Sequence, residues 1–208
     1  MSQRMKKTLL FGSIGLFLLL TLLVTLKLTT SIDTAFSKWV FQFHNPILTS
    51  FFRFITDFGY VKILLVLLVI ILIVFHKYRF AYILPIHVLF VVFVNMILKN
   101  IIDRPRPDLI RLIDEVGFSF PSGHAMVTMV TYGYLIYVVD HYIKQRWLKY
   151  TLIGFLIFII LSVGISRIYL GVHYLTDVLA GYSISLFYLM IVTKLKIFSL
   201  GDAHDSMD

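Results

Sequence analysis

The sequence predicts an all-α integral membrane protein built as a bundle of six spanning helices. Hydrophobic residues make up 59% of the 208 residues and the mean hydropathy is +0.90, a balance that leaves too little polar surface for a soluble domain of this size. Charged residues are only 14% of the chain and cluster between long apolar runs. Several of these runs approach the roughly 20 residues that a helix needs to cross a bilayer. A soluble all-helical core is the alternative, and the number of long runs argues against it.

Six segments are predicted to cross the membrane: Thr8–Leu26, Phe58–Phe75, Phe80–Leu98, Ser122–Val139, Tyr150–Ser166 and Val172–Thr193. The second and fifth segments are short but remain within the spanning range. Basic residues precede the first segment, as in a signal peptide. The segment is longer than the apolar part of a signal peptide, and no cleavage site with small residues follows it. We therefore expect the first segment to be retained. No internal repeat or low-complexity linker interrupts the chain, which predicts a single domain over residues 1–208.

Short interfacial helices are predicted between the first and second spans. Ile32, Phe36, Trp39, Val40 and Phe43 recur at helical spacing, with polar residues between them. This pattern is typical of an amphipathic helix that lies in the membrane surface. A second short helix is predicted from Pro46 to Ile55, and an irregular loop rich in aromatic residues is the alternative for the whole region.

Basic residues predict the orientation of the bundle. With the N-terminus in the cytoplasm, ten of the 19 basic residues lie on the cytoplasmic side: Arg4, Lys6, Lys7, Lys77, Arg79, Lys144, Arg146, Lys149, Lys194 and Lys196. Of the nine on the other side, five lie in or near the motifs described below. Without these five, ten basic residues face four, which favours cytoplasmic termini. The five exceptions indicate that an anion is bound on the extracytoplasmic face.

Composition also narrows the chemistry. A net charge of +8 would suggest nucleic acid as a partner in a soluble protein. Here the charge lies largely in short loops, where membrane orientation explains it, and we expect no nucleic-acid partner. The chain has no cysteine, which excludes disulfides, thiolate nucleophiles and cysteine metal sites.

The first candidate motif lies at the end of the third predicted span. Lys99 is followed by Arg106 and Pro107 in the segment KNIIDRPRP. Prolines stiffen this segment, which keeps the lysine and the arginine near the membrane surface. There the two side chains can bind the oxygens of a phosphate group. Taken alone, the segment is better explained by basic side chains that reach to the membrane interface.

The second motif, PSGH, opens the fourth predicted span. Unsatisfied backbone N–H groups at a helix N-terminus attract anions, and Ser122 adds a hydroxyl donor. Gly123 permits a close approach of the backbone, and His124 is placed to transfer a proton. An ordinary helix start is the structural alternative.

The third motif joins the fifth and sixth predicted spans. Arg167 follows Ser166 and supplies another phosphate donor. His173 and Asp177 are four residues apart and share a helix face, so the carboxylate can orient the imidazole. A purely structural His–Asp pair is the alternative, although ionisable groups at the ends of membrane helices usually serve function.

Together the three motifs, K-x6-R-P, P-S-G-H and S-R-x5-H-x3-D, resemble the signature of the type 2 phosphatidic acid phosphatase family, and every fixed position is met. The resemblance implies that His173 attacks phosphorus, that Asp177 orients His173, and that His124 donates a proton to the leaving group. It further implies that phosphate is held by Lys99, Arg106, Ser122, the Gly123 amide and Arg167. The expected activity needs no metal or other cofactor.

The resemblance implies hydrolysis of a membrane lipid phosphate on the extracytoplasmic face. Undecaprenyl diphosphate, phosphatidylglycerol phosphate and phosphatidic acid all remain possible substrates, and the oligomeric state is open. A lipid phosphotransferase with the same site and a non-catalytic lipid-binding or transport protein are the alternatives. Charged residues of the loop 103–115, Glu115 among them, are expected to be solvated, with Arg104 as the best candidate to bind a second phosphate.

Overall fold

The computed structural model describes residues 3–108, 111–194 and 200. These residues form eight α-helices and no β-strand: α1 Gln3–Thr25, α2 Thr30–Phe41, α3 Pro46–Thr56, α4 Val61–Val74, α5 Arg79–Ile102, α6 Gly123–Tyr142, α7 Arg146–Tyr169 and α8 Leu175–Val192. A short 3₁₀ turn, Asp57–Gly59, joins α3 to α4. Lys196, one of the ten basic residues on the predicted cytoplasmic side, lies outside the described residues.

Helix α6 lies at the centre of the bundle. It packs against α5, α7 and α8, while α1 packs on α8 and α4 packs on α5. Its buried positions include Thr128, Thr131 and Tyr134, each with no exposed surface. A helix enclosed by other helices does not face lipid, and it can therefore carry polar residues that a lipid-facing helix cannot.

Four helices in the described part of the chain are long and apolar enough to cross a membrane: α1, α5, α7 and α8. The pair formed by Pro46–Gly59 and Val61–Val74 meets the same test jointly, but it bends by 55° at the junction. Each of the six predicted segments overlaps one helix of the structure. The protein is thus an all-helical, multi-pass membrane protein, and the count of exactly six spans stays a prediction.

The region between the first two predicted spans is helical, as α2 and α3, rather than an irregular loop. In α2, Phe36 and Val40 pack on the interior near Ala125 of α6. Ile32 and Trp39 are 67% and 53% exposed on the outer side. Both sides of α2 are therefore partly apolar, which suits a helix between the bundle and lipid; its position in the interface stays a prediction.

Candidate active site

The three sequence motifs meet at one end of the bundle. Lys99 lies in the last turn of α5, Gly123 opens α6, and Arg167 lies in the last turn of α7. A short turn then leads to α8 and carries His173. The second and third motifs are joined directly, since the Ser122 backbone N–H donates to the Asp177 carbonyl oxygen at 3.0 Å.

His173 and Asp177 form a buried pair at the start of α8. His173 Nδ1 lies 3.3 Å from Asp177 Oδ2, and the same oxygen accepts the Tyr174 backbone N–H at 2.8 Å. The carboxylate thus caps the helix and faces the imidazole at the same time. When the proton is on Nδ1, the lone pair of the ring is on Nε2, which lies away from Asp177.

His173 is 2% exposed and is surrounded by positive charge. Burial, followed by the charges of Arg167, Arg106 and Lys99, holds the pKa of the His173 imidazole well below its ordinary range. A lowered pKa keeps the imidazole neutral at neutral pH, and only the neutral ring has a lone pair with which to attack phosphorus.

Arg104 links Asp177 to a second buried carboxylate. Its Nη1 donates to Asp177 Oδ1 at 2.6 Å, and its Nη2 donates to Asp33 Oδ2 at 2.7 Å. Asp33 also accepts the hydroxyl and the backbone N–H of Thr176 at 2.6 and 3.2 Å. Two fully buried carboxylates thus hold both ends of the Arg104 guanidinium, and its role in binding a second phosphate stays a prediction.

Arg106 is largely engaged with the backbone. Its guanidinium donates to the carbonyl oxygens of Gly117, Val172 and Val116 at 3.0, 2.9 and 3.0 Å. Its Nη1 also lies 3.3 Å from Nε2 of His173. Arg106 therefore fixes the loop before α6 to the turn before α8, and it presents positive charge to Nε2, the ring nitrogen that does not face Asp177.

Arg167 is fully buried and holds a carboxylate. Its Nη1 donates to Thr56 Oγ1 at 2.8 Å, and its Nη2 donates to Glu115 Oε1 at 2.5 Å. Glu115 Oε1 also accepts the hydroxyl of Tyr60 at 3.1 Å, and Glu115 Oε2 lies 3.9 Å from Arg106 Nη2. The expectation that the charges of the 103–115 loop are solvated is thus wrong for Glu115, because three side chains bind it.

A cavity of about 540 Å³ opens beside the site. Lys99, His124, Tyr60 and Glu115 line its polar part, and apolar residues of α4, α5 and α6 line the rest. The His124 ring packs edge-on against Tyr60 with centroids 4.5 Å apart. Among the residues that the structure describes, His124 Nε2 and Arg167 Nε are buried without a hydrogen-bond partner. Unsatisfied buried donors and acceptors are costly, and a polar ligand in the cavity would offset part of that cost for His124.

Asn95 of α5 fixes the start of α6. Its Nδ2 donates to the Pro121 carbonyl oxygen at 3.0 Å, and its Oδ1 would lie 2.8 Å from a Cβ at position 123. Only glycine fits at position 123 without a shift of this contact. The backbone N–H groups at the start of α6 are thereby held beside the cavity, of which Gly123 is a lining residue.

The predicted site residues are therefore brought together, and sequence reasoning missed Asp33, Asn95, Thr56 and Glu115. One signal could have identified Asp33, because it lies three and seven residues before Phe36 and Val40 of the predicted amphipathic helix and so shares their helix face. Nothing in the pattern distinguishes Glu115 from the other acidic residues of its loop. Over the described ranges, no group of three His, Asp or Glu side chains could hold a metal ion, and metal independence stays a prediction.

Comparisons with known proteins agree with this arrangement. Residues 78–198 match the model of the PAP2 superfamily. The chain is 35% identical over 185 residues to phosphatidylglycerophosphatase B of Bacillus subtilis (strain 168), covering 85% of this chain and 89% of that protein.

Two solved structures share the fold. The crystal structure of the first transmembrane PAP2 type phosphatidylglycerolphosphate phosphatase from Bacillus subtilis matches with a TM-score of 0.80 and 34% identity, over 91% of this chain and 100% of that chain. The crystal structure of Aquifex aeolicus LpxE matches with a TM-score of 0.61 over 77% of this chain and 94% of that chain; at 23% identity this likeness concerns the fold alone.

Proposed function

Because this chain belongs to the PAP2 superfamily and is a membrane phosphatase of that family, we propose that it hydrolyses lipid phosphate headgroups through a phosphohistidine formed on His173. One observation carries the proposal. The buried imidazole of His173 has one nitrogen beside Asp177 and the other beside Arg106, and burial together with the nearby cations lowers its pKa. An imidazole that is oriented on one side and faces positive charge on the other suits attack on an anionic phosphate.

In the first step, His173 Nε2 forms a bond to phosphorus and the bond from phosphorus to the lipid oxygen breaks. The leaving oxygen takes a proton from His124, which lines the cavity from the start of α6. Asp177 stabilises the positive charge that develops on the His173 ring, as the carboxylate of a catalytic triad does.

In the second step, His124 takes a proton from water, and the water oxygen attacks the phosphohistidine. The bond between phosphorus and Nε2 breaks, which releases inorganic phosphate and restores both histidines. The same histidine can act first as acid and then as base, because the attacking water takes the place that the leaving oxygen has vacated.

Lys99, Arg106, Ser122, the Gly123 amide and Arg167 are proposed to bind the phosphate oxygens. Three positive side chains and a helix N-terminus offset the charge that spreads over these oxygens in the transition state. Positive charge from side chains replaces that of a metal ion in this proposal, and activity in the presence of a chelator is the corresponding expectation.

The substrate is proposed to be a lipid phosphate that enters sideways from the bilayer. The cavity is lined by Val61 of α4 and by Val92 and Met96 of α5, whose apolar side chains suit a lipid chain near a polar headgroup. Phosphatidylglycerol phosphate is the first substrate to test, because a relative 35% identical to this chain is named a phosphatidylglycerophosphatase. Since Arg104 is held by two carboxylates, it offers no support for a second phosphate of a diphosphate substrate.

The test is phosphate release by purified protein. Phosphatidylglycerol phosphate, phosphatidic acid and undecaprenyl diphosphate are offered side by side with a chelator present, and kcat/KM ranks the three. We expect release from at least the first, and loss of at least about 10³-fold in His173→Ala. Failure of the folded wild-type protein to release phosphate from any of the three would contradict the proposal, and transfer of phosphate to another lipid would indicate a phosphotransferase.

A further inference from the structure

The approach to the proposed nucleophile passes Glu115. The cavity is lined by Lys99, His124 and Glu115 but not by His173 or Arg167, all of which lie in the described part of the chain. His173 is 2% exposed and Arg167 is fully buried. A headgroup that enters from the cavity therefore meets the Glu115 carboxylate before it can reach the nucleophile.

Glu115 is bound by groups that suit a phosphate. Arg167 donates to its Oε1 at 2.5 Å, Tyr60 donates to the same oxygen at 3.1 Å, and Arg106 Nη2 lies 3.9 Å from its Oε2. A carboxylate and a phosphate present similar oxygen acceptors to a guanidinium. Arg167 Nε, buried without a hydrogen-bond partner in the described residues, leaves a further donor for an anion.

We propose that Glu115 competes with the substrate phosphate for Arg167, so that a phosphate binds only by displacing this carboxylate. The inference rests on the proposed function, since it assigns the Arg167 position to a phosphate oxygen. Glu115 would then determine how tightly the site binds both the lipid headgroup and the inorganic phosphate that is released, because the two share the same anionic chemistry.

The surroundings of Glu115 allow its side chain to leave without unfolding the site. The Glu115 side chain is 19% exposed and belongs to a segment without helix or strand. Arg106 holds the backbone immediately after it through the carbonyl oxygens of Val116 and Gly117. Thr56 holds Nη1 of Arg167 independently of Glu115. Rotation of one side chain is therefore enough to exchange the carboxylate for a phosphate.

The alternative is that Glu115 permanently supports Arg167, and the two roles predict opposite effects of its removal. The experiment uses the full chain in detergent and compares wild type with Glu115→Gln, which removes the charge at nearly constant size. Asp114→Asn is the matched control. Asp114 is the exposed neighbour in the same loop, and its substitution removes the same unit of charge. Glu115→Ala serves as a second variant, and thermal melting verifies that each protein is folded.

Two experiments are done on each protein: calorimetry gives the dissociation constant of inorganic phosphate, and steady-state kinetics give KM and kcat for phosphatidylglycerol phosphate. Competition predicts that phosphate binds at least about tenfold more tightly in Glu115→Gln, that KM falls in parallel, and that Asp114→Asn behaves as wild type. Weaker or unchanged phosphate binding in Glu115→Gln and Glu115→Ala would overturn the inference.

Calorimetry separates this inference from the proposed function. Tighter phosphate binding in Glu115→Gln supports the competition even if the lipid is not hydrolysed. Conversely, normal hydrolysis by wild type together with unchanged phosphate binding in the variants would remove the inference and leave the proposed function intact.

Discussion

Asp33 is far from the three motifs in sequence, yet only two side chains separate it from His173. The carboxylate contacts Arg104, which contacts Asp177, which faces the imidazole. All three carboxylate and imidazole side chains are at most 2% exposed. A buried charge that is paired on both sides is held in one geometry, because breaking either contact would leave an uncompensated charge.

Asp33→Asn is therefore expected to lower kcat by about tenfold while KM changes by about twofold or less. The substitution weakens the hold on Arg104 and Thr176, so Asp177 orients His173 less accurately, while the proposed phosphate-binding groups are untouched. Steady-state kinetics per folded molecule measure the effect, with Asp57→Asn, an exposed aspartate before α4, as the control. Wild-type kcat in folded Asp33→Asn would contradict a positioning role.

The motif residues could be predicted because their spacing specifies their chemistry: His173 and Asp177 are one helical turn apart. Glu115 could not be predicted as a site residue, because the side chains that donate hydrogen bonds to it come from distant parts of the chain. For Asp33 the sequence indicates the helix face, but not the partners that it binds. Tyr60 and Arg167 lie 55 and 52 positions from Glu115, and Arg104 lies 71 positions from Asp33. Sequence periodicity carries no information on such contacts.

At the scale of helices, the site depends on the close crossing of α6 and α8. A Cβ at Gly181 would lie 2.9 Å from the backbone oxygen of Ser122 and 3.1 Å from Cβ of Ala125. The absence of a side chain lets the two helices approach closely, as small residues do in membrane bundles. The crossing also lets the Ser122 N–H reach the Asp177 carbonyl oxygen.

Gly181→Ala is expected to destabilise the protein by about 1–3 kcal/mol, because a backbone atom cannot move aside without shifting a helix. Phosphate release should fall with it, since the shift separates the second motif from the third. Thermal melting and activity measure the two effects. Gly154→Ala in α7 is the control, because a Cβ there meets no atom within 4 Å; equal melting temperatures for the two variants would contradict the account.

Hydrophobic runs predict well where the helices lie, but they do not predict which helix is enclosed by the others or where a helix bends. The segment predicted as Ser122–Val139 is helical as α6, yet it is less apolar than the four long candidate spans. Because α6 is enclosed by other helices, it does not need an apolar surface towards lipid. Its central position is known only from how the helices pack. The segment predicted as Phe58–Phe75 contains the 14-residue α4 and a bend of 55° to the preceding helix, which a hydropathy run does not show.

At the scale of the whole molecule, orientation follows from charge. The proposed topology puts both termini in the cytoplasm and the site on the extracytoplasmic face, with the five basic residues in or near the motifs as the exceptions to the charge bias. The connection between α6 and α7 would then face the cytoplasm, and the loop that carries Glu115 would face outward.

Cysteine labelling tests this orientation, because the chain has no cysteine of its own. Asp114 and Lys144 are exposed residues in connections that lie on opposite sides of the proposed topology. In intact cells, a membrane-impermeant maleimide should label Asp114→Cys, and it should label Lys144→Cys only after permeabilisation. The reverse pattern would show that the site faces the cytoplasm.

Covalent catalysis by His173 requires a phosphoenzyme, which can be trapped before water hydrolyses it. Protein mixed with a ³²P-labelled lipid phosphate is quenched within one turnover, digested, and analysed for labelled peptides. We expect label that is acid-labile and alkali-stable, that maps to His173, and that is absent from His173→Ala. Undiminished lipid phosphate hydrolysis by His173→Ala, or label on another residue, would contradict covalent catalysis by His173.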